Sequence, residues 1–247
     1  MTQEHSNNKI TAAFLIIGNE ILSGRTDDKN LNHLAKELTL MGIDLCEVRV
    51  VADLEQEIID ATNQLRKKYN YLFTSGGIGP THDDITTESI TKAFNDNLIE
   101  NQEAKNLLIE YYGIENLNLA RLKMAKIPSK ALLINNKVSG APGFYIENVF
   151  VMAGIPRIFQ AMLEAAKPYL KQGKRIESIE IKIRLTESII AKPLTDLQEK
   201  YRDISMGSYP FEGGTSLVFR SSNIETLRQV ALEMKTILTA LTSETTE

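Results

Sequence analysis

The sequence predicts a three-layer α/β/α domain around a mostly parallel sheet, followed by a small α+β domain. Three observations predict it. Short apolar runs at 10–17, 45–51 and 71–74 alternate with stretches whose apolar residues are spaced three and four apart. Each run ends in a turn that carries glycine, asparagine or an acid. Beyond a charged link, Pro168 to Arg175, the pattern changes to β-α-β-β-α. The expected bounds are a loose tail at 1–9, a first domain at 10–170 and a second at 176–247.

Each element has a local reason. Ile10 to Ile17 is almost continuously apolar, as a strand buried on both faces must be. Gly18-Asn19-Glu20 breaks it, which puts Glu20 at the carboxyl end of that strand. Leu31, Leu34, Ala35, Leu38 and Met41 mark a helix, with Asp27 or Asp28 able to cap its start and Gly42 its end. Asn30 faces the same end as Glu20. Leu45 to Val51 is the next strand, and Asp53 follows it, able to cap the helix marked by Leu54, Ile58, Ala61 and Leu65.

Tyr71 to Thr74 leads into the most informative stretch, Thr74 to Thr86, before a helix carrying Ile90, Ala93 and Phe94. Residues 102–126 read as helical with a break at Gly113. Lys105, Arg121, Lys123 and Lys126 there usually make a solvated face, though one could reach a phosphate. Ala131 to Ile134 is a short strand, and Phe144 to Ile146 pairs with Val149 to Met152 as a hairpin. Ala153-Gly154-Ile155 then enters a helix at Pro156, where proline is tolerated. In the second domain, strands at 176–185, 204–209 and 217–220 accompany a helix entered at Pro193 and a long helix from Ile224 to Leu241.

Composition limits the function. The chain has 247 residues, 43% hydrophobic and 24% charged, in the ordinary globular range. A net charge of −4 gives no support for a basic nucleic-acid surface. Cys46 is the sole cysteine, which rules out an intramolecular disulfide and a Cys-based zinc site; its apolar strand context reads as a small core residue. Met1 to Lys9 is polar, and the run Ala12 to Ile17 is far too short to span a bilayer. A cytoplasmic protein without a membrane partner is expected.

The chemistry lies in the stretch after the third strand. Gly76, Gly77 and Gly79 allow dihedrals and close approaches that side chains would block. A turn of this kind, joined to a helix start, presents free N–H groups to an anion. Asp83 and Asp84 then sit beside that anion site. Two acids repel a phosphate unless a divalent cation lies between them. The reading is a phosphate or pyrophosphate site assisted by a metal held by Asp83 and Asp84. The bland alternative is a tight βα turn with a capping aspartate. The extended string GGIGPTHDDIT matches neither the Walker pattern nor G-x-G-x-x-G. His82 has no second base at fixed spacing and reads as solvated or supporting.

That string resembles the signature of molybdopterin-binding, MoaB/Mog-like domains, in the form found at the N-terminus of CinA-type proteins. It is also similar to the N-terminal domain of eukaryotic FAD synthase. Ile17 to Thr26, Asn30, Val50 to Asp53, Ala141 to Phe144, Ala153 to Pro156 and Gly207 to Pro210 fall in the family's order.

The resemblance implies a metal-dependent (magnesium, manganese or cobalt) nucleotide pyrophosphatase that converts ADP-ribose to AMP and ribose 5-phosphate. Asp83, Asp84 and Glu20 would be catalytic. Asn30, Asp53, Ser75, Gly76, Gly77, Gly79, Pro80, Thr81, Thr86, Pro142, Gly143, Gly154 and Pro156 would bind substrate. Mog-like relatives instead bind molybdopterin, so a pterin-phosphate binder without hydrolysis is the alternative. An interaction protein that makes little use of the pocket is a third reading. The resemblance also implies a homo-oligomer, a dimer first. The sequence has no room for the nicotinamide-nucleotide deamidase domain of full-length relatives, so that activity is not carried over.

Overall fold

A computed structural model describes residues 9–244. The expected tail at 1–9 therefore lies almost entirely outside the described residues. The larger of two compact units extends to Gly173 apart from Leu40–Gly42, which group with the smaller unit that takes up the chain from Lys174.

The larger unit is built on a six-stranded sheet. β1 (Ile10–Ile17) lies between β2 (Ile43–Val51) and β3 (Tyr71–Ser75), and all three are parallel. β8 (Val149–Met152) adds in parallel to β3. β7 (Gly143–Ile146) pairs antiparallel with β8, and β6 (Leu132–Ile134) antiparallel with β7. The hairpin turn needs Glu147 at φ 52. The order β2-β1-β3-β8-β7-β6 is the expected mostly parallel sheet.

The connecting helices are α1 (Asn19–Leu22), α2 (Asn30–Leu40), α3 (Glu55–Lys68), α4 (Thr86–Ala93), α5 (Gln102–Tyr112), α6 (Leu119–Lys123) and α7 (Pro156–Ala166). The chain leaves β1 in one direction to reach β2 and returns across it to reach β3. Right-handed crossovers therefore put α2 and α3 on opposite faces. Ala13, Leu15 and Ile17 of β1 share a core with Ile58, Ala61 and Leu65 of α3 and Ile90 of α4. The alternate residue Phe14 meets Phe159 of α7, with ring centroids 5.8 Å apart. Three layers result because each face of β1 is apolar.

Several local expectations change. Residues 102–126 are not one broken helix. After α5 a 3-10 turn at Ile114–Asn116 leads to α6, and β5 (Lys126–Pro128) pairs with β4 (Leu98–Glu100). Cys46 is exposed rather than core. β2 is the edge strand, and its burial alternates toward its carboxyl end, so Cys46 falls on the open side. Its Sγ lies 3.3 Å from the Asp44 carbonyl oxygen, and partial desolvation, with the Asp44 charge, pushes the thiol up.

The smaller unit has the expected β-α-β-β-α order: β9 (Glu177–Ile183), α8 (Glu187–Lys200), β10 (Ser205–Phe211), β11 (Gly214–Ser221) and α9 (Ile224–Glu244). Its antiparallel sheet runs β10-β11-β9. Ile181, Leu217 and Phe219 pack with Ile190 and Leu197 of α8 and Val230 and Met234 of α9. Pro193 does not open α8. It lies inside the helix, which starts after the extended Thr186. There proline forfeits its own N–H bond and its ring crowds the Ile189 carbonyl, and neighbouring turns carry the helix past it. β10 runs on to Phe211, two residues beyond the expected strand at 204–209, and α9 continues past Leu241.

Two constraints hold the larger sheet. Gly76 has φ 108, and a Cβ there would lie 2.1 Å from the Ile17 carbonyl oxygen. The ends of β1 and β3 meet only because that atom is absent. On β2, Glu47 accepts from Lys68 Nζ at 2.8 Å, Tyr69 Oη at 2.7 Å and Arg49 Nε at 2.7 Å. The Lys68 contact, then Tyr69 and Arg49, holds its carboxyl down at about 2.

Gly76→Ala should lose at least about 3 kcal/mol, or fail to fold, because backbone strain is added to a backbone collision; urea midpoints measure it. The depressed Glu47 carboxyl contributes stability that is complete above its ordinary value of 4.5 and lost as pH falls through about 2. Urea midpoints of wild type and Glu47→Gln should thus differ at neutral pH and converge across that acid window.

Candidate functional site

The sheet order sets the position of the site. β1 has β2 on one side and β3 on the other, so successive connections diverge at the carboxyl ends of β1 and β3. Open α/β sheets bind ligands at such a switch point. Glu20 follows β1, Asp53 follows β2, the 75–86 segment begins at the end of β3, and Gly154 to Pro156 follow β8. β7 runs against β8, so Pro142 and Gly143 start it at this same edge. All the residues read as site candidates therefore come to one edge of the sheet or, for Asn30, to the helix start beside it.

The floor of this edge is closely packed backbone. Gly18 N donates to Val51 O at 3.2 Å, and Gly76 N to Met152 O at 3.1 Å. A Cβ on Gly143 would lie 2.5 Å from Val151 O. Pro142 is buried, whereas Pro156 forms the first turn of α7. Asn30 is 2% exposed, unlike an ordinary first-turn polar residue. Its Nδ2 donates to Ser75 Oγ at 2.9 Å and to Gly154 O at 2.7 Å. Its Oδ1 is buried with no partner among the described residues. Asn30 joins the ends of β3 and β8 to the start of α2, which Asp28 caps through Leu31 N at 2.7 Å.

The loop after β3 closes on itself. Gly77, at φ 67, accepts from Thr86 N at 2.9 Å. A Cβ on Gly77 would lie 2.1 Å from Thr86 Oγ1, a buried hydroxyl without a partner among the described residues. No side chain caps the start of α4 at Ile85. With Thr86 N given to Gly77 O, the Thr87 and Glu88 N–H groups of its first turn are left for other acceptors.

Asp84 braces the loop. Its Oδ2 accepts from Thr81 N at 2.8 Å and from the Thr81 hydroxyl. A Cβ on Gly79 would lie 2.6 Å from the same oxygen. Pro80, Thr81, His82 and Asp83 are exposed. The Thr81 hydroxyl is the largest influence holding the Asp83 carboxyl below the usual range, although its geometric hydrogen bond is to Asp84. The backbone N–H of Asp83 follows, and the His82 and Lys123 charges add less.

Lys123 is the residue sequence reasoning missed. It was read as part of a solvated face. Its Nζ instead donates to Thr81 O at 2.8 Å and Asp84 O at 2.6 Å. No periodicity signals this, because the partners are carbonyls some 40 positions earlier.

The other two acids are held apart from this loop's hydrogen bonds, each by its own contact. Asp53 Oδ2 accepts from Asn19 N at 2.8 Å, so it holds the start of α1, while Leu54 occupies the N-cap of α3. The Glu20 carboxyl folds back over Gly18, whose Cβ would lie 2.5 Å from Glu20 Oε1. Among the described residues, no three His, Cys, Asp or Glu side chains are grouped to hold a metal ion. The donor set therefore fits a divalent ion only of the kind that takes one or two carboxylates and completes its shell with substrate phosphates and water. Among the described residues, no helix is long and apolar enough to cross a membrane.

Comparison with known proteins follows this geometry. A protein of Sulfurisphaera tokodaii is 34% identical over 210 residues, covering 81% of this chain and 80% of its own. One of Archaeoglobus fulgidus is 30% identical over 227 residues, covering 91% and 97%. The crystal structure of CinA, a protein of unknown function from Thermoplasma acidophilum, is 34% identical with a TM-score of 0.61. It covers 64% of this chain and 98% of that one. Residues 175–245 match the middle domain of FAD synthase. Residues 13–172 match the family described as a probable molybdopterin binding domain, and the chain belongs to that family in its CinA-type, MoaB/Mog-like form.

Proposed function

We propose that the chain is a metal-dependent nucleotide pyrophosphatase, with ADP-ribose as substrate and AMP and ribose 5-phosphate as products. The observation that carries this reading is an uncapped helix start sharing one loop with two carboxylates. The first feature attracts an anion and the second repels it, so a cation between them reconciles the two.

In this reading the Thr87 and Glu88 N–H groups at the start of α4 receive phosphoryl oxygens, and Thr86, buried behind Gly77, holds the loop against the helix start. Asp83, ionised across the neutral range, and Asp84 hold magnesium, manganese or cobalt. The metal, when bound, neutralises the pyrophosphate and lowers the pKa of a water. Glu20 or Asp53 orients that water at the β1 side of the crevice. The water's oxygen would bond to one phosphorus as the bridging P–O bond breaks, its proton would pass to that carboxylate, and each product would keep one phosphate. Ser75, Gly76 and Gly154, tied together through backbone and Asn30, keep the floor fixed while this happens.

A pterin phosphate held without hydrolysis is the second reading, and the family's description as a probable molybdopterin binding domain favours it. AMP release from ADP-ribose with each metal in turn separates the two. Under the first reading Asp84→Ala lowers turnover roughly 10²–10³-fold, the scale of removing one preorganised group that stabilises a transition state. No release by the wild type with any metal, together with capture of a fluorescent pterin, would establish the second.

Asn30 behaves differently under either reading. Asn30→Ala should cost about 1–3 kcal/mol by leaving buried groups unpaired. Asn30→Asp should cost more, because a buried carboxylate cannot donate to Gly154 O. Urea midpoints for both, beside a smaller shift for Asp84→Ala, whose carboxylate ties only an exposed loop, would separate the floor from the chemistry.

A further inference from the structure

We propose that Lys123 is a positioning residue for the acidic loop: its ammonium gathers the Thr81 and Asp84 carbonyls inward and leaves the loop's carboxylates as its outward donors. This rests on the reading of that loop as the reactive site.

The geometry is specific. An ammonium has three donors in one compact group. Two are spent on Thr81 O at 2.8 Å and Asp84 O at 2.6 Å. Glu88 Oε1 lies 3.9 Å from the same nitrogen. The lysine side chain is 25% exposed, so its charge is drawn into the loop rather than spread into solvent. Asp84 meanwhile bonds backward to Thr81 N at 2.8 Å. The Thr81–Asp84 turn is therefore fastened twice, by its own carboxylate on one side and by a distant lysine on the other.

The lysine is itself held in place. It is the last residue of α6, whose first turn is capped by Asn118 through Arg121 N at 3.0 Å. The Arg121 guanidinium lies 4.1 Å over the Tyr112 ring, and its Nη1 donates to Asn116 O at 2.5 Å. A short helix that would be marginal alone is thus fixed to α5, and Lys123 at its end meets the loop from a fixed base.

Two consequences follow for chemistry. An ammonium beside the Thr81 and Asp84 carbonyls repels a cation from them, so a metal is directed to the loop's carboxylate oxygens instead. The lysine also offsets part of the charge of Asp83, Asp84 and Glu88, which lets these acids sit close together before any metal arrives.

The test uses the full chain, with Lys123→Met and Lys123→Arg. Amide exchange by NMR reads the loop directly. The methionine variant should exchange the Thr81 and Asp84 amides at least about tenfold faster while those of Leu72 and Phe73 in β3 keep their rates. Arginine, which can donate to both carbonyls, should restore at least part of the protection. With ADP-ribose and magnesium, the methionine variant should lower kcat about tenfold or more and change KM less than about twofold.

Unchanged loop amides, or equal acceleration of loop and strand, would overturn the proposal. So would a loss confined to KM. If the wild type itself turns nothing over, the pyrophosphatase reading falls and the exchange arm alone decides whether Lys123 fastens the loop.

Discussion

The Asn30 amide is the interaction on which the rest of the edge depends. Its nitrogen spans two acceptors, Ser75 Oγ on β3 and Gly154 O after β8. Those two strands are neighbours in the sheet, but the residues after them diverge into a loop and a helix. The Gly76 N–Met152 O hydrogen bond is the last backbone tie between them, and the Asn30 amide extends it beyond the strand ends. The bridge is buried and has a single geometry, so the start of α2 keeps a fixed register against both strands. The close approach of Gly76 to the Ile17 carbonyl then fixes β1 in the same frame. Three strand ends and one helix start become one rigid floor, and the more exposed loop above it carries the acids.

This division of labour suits the chemistry proposed. Precision comes from elements with no freedom to adjust, and reactivity from side chains that reach solvent. Asp83, His82 and Thr81 are exposed, while Ser75, Asn30 and Thr86 are buried. Asp84 lies between these classes and serves both, as brace through one oxygen and as candidate ligand through the other. Its neighbour Asp83 has only the second role.

The sheet was legible because its strands are nearly continuous apolar runs, and the glycine loop because three glycines so close together have few other uses. What sequence reasoning missed had physical causes. Cys46 looks apolar by its neighbours, but edge placement decides its exposure, and no local pattern announces an edge. Pro193 looks like a helix start because proline favours the first turn, yet the preceding residues were already helical. Asn30 and Lys123 share a different cause. Each is polar, and polar residues on helices usually face water. Their partners are groups far along the chain, two of them main-chain carbonyls for Lys123 and one for Asn30. Main-chain acceptors have no letter in the sequence, so contacts of this type are invisible until the fold is known. Asp53 shows the same limit, because its partner is the Asn19 amide rather than the helix that follows it.

The far edge of the sheet has its own character. There the hairpin turn at Glu147 and Asn148 meets the end of α3, with Asn148 Nδ2 donating to Arg66 O at 2.9 Å and Tyr69 O at 3.1 Å. Asn70 accepts from the Thr11 backbone at 2.9 Å on the same side. These contacts tie off the strand starts with side-chain amides and leave the crevice at the other end untouched. A solid support, a fluorophore or a fused reporter attached beside Glu147, an exposed position, would stand a full strand length away from the candidate site. The molecule thus has a natural handle, and immobilised or labelled forms held by that end keep the crevice facing outward.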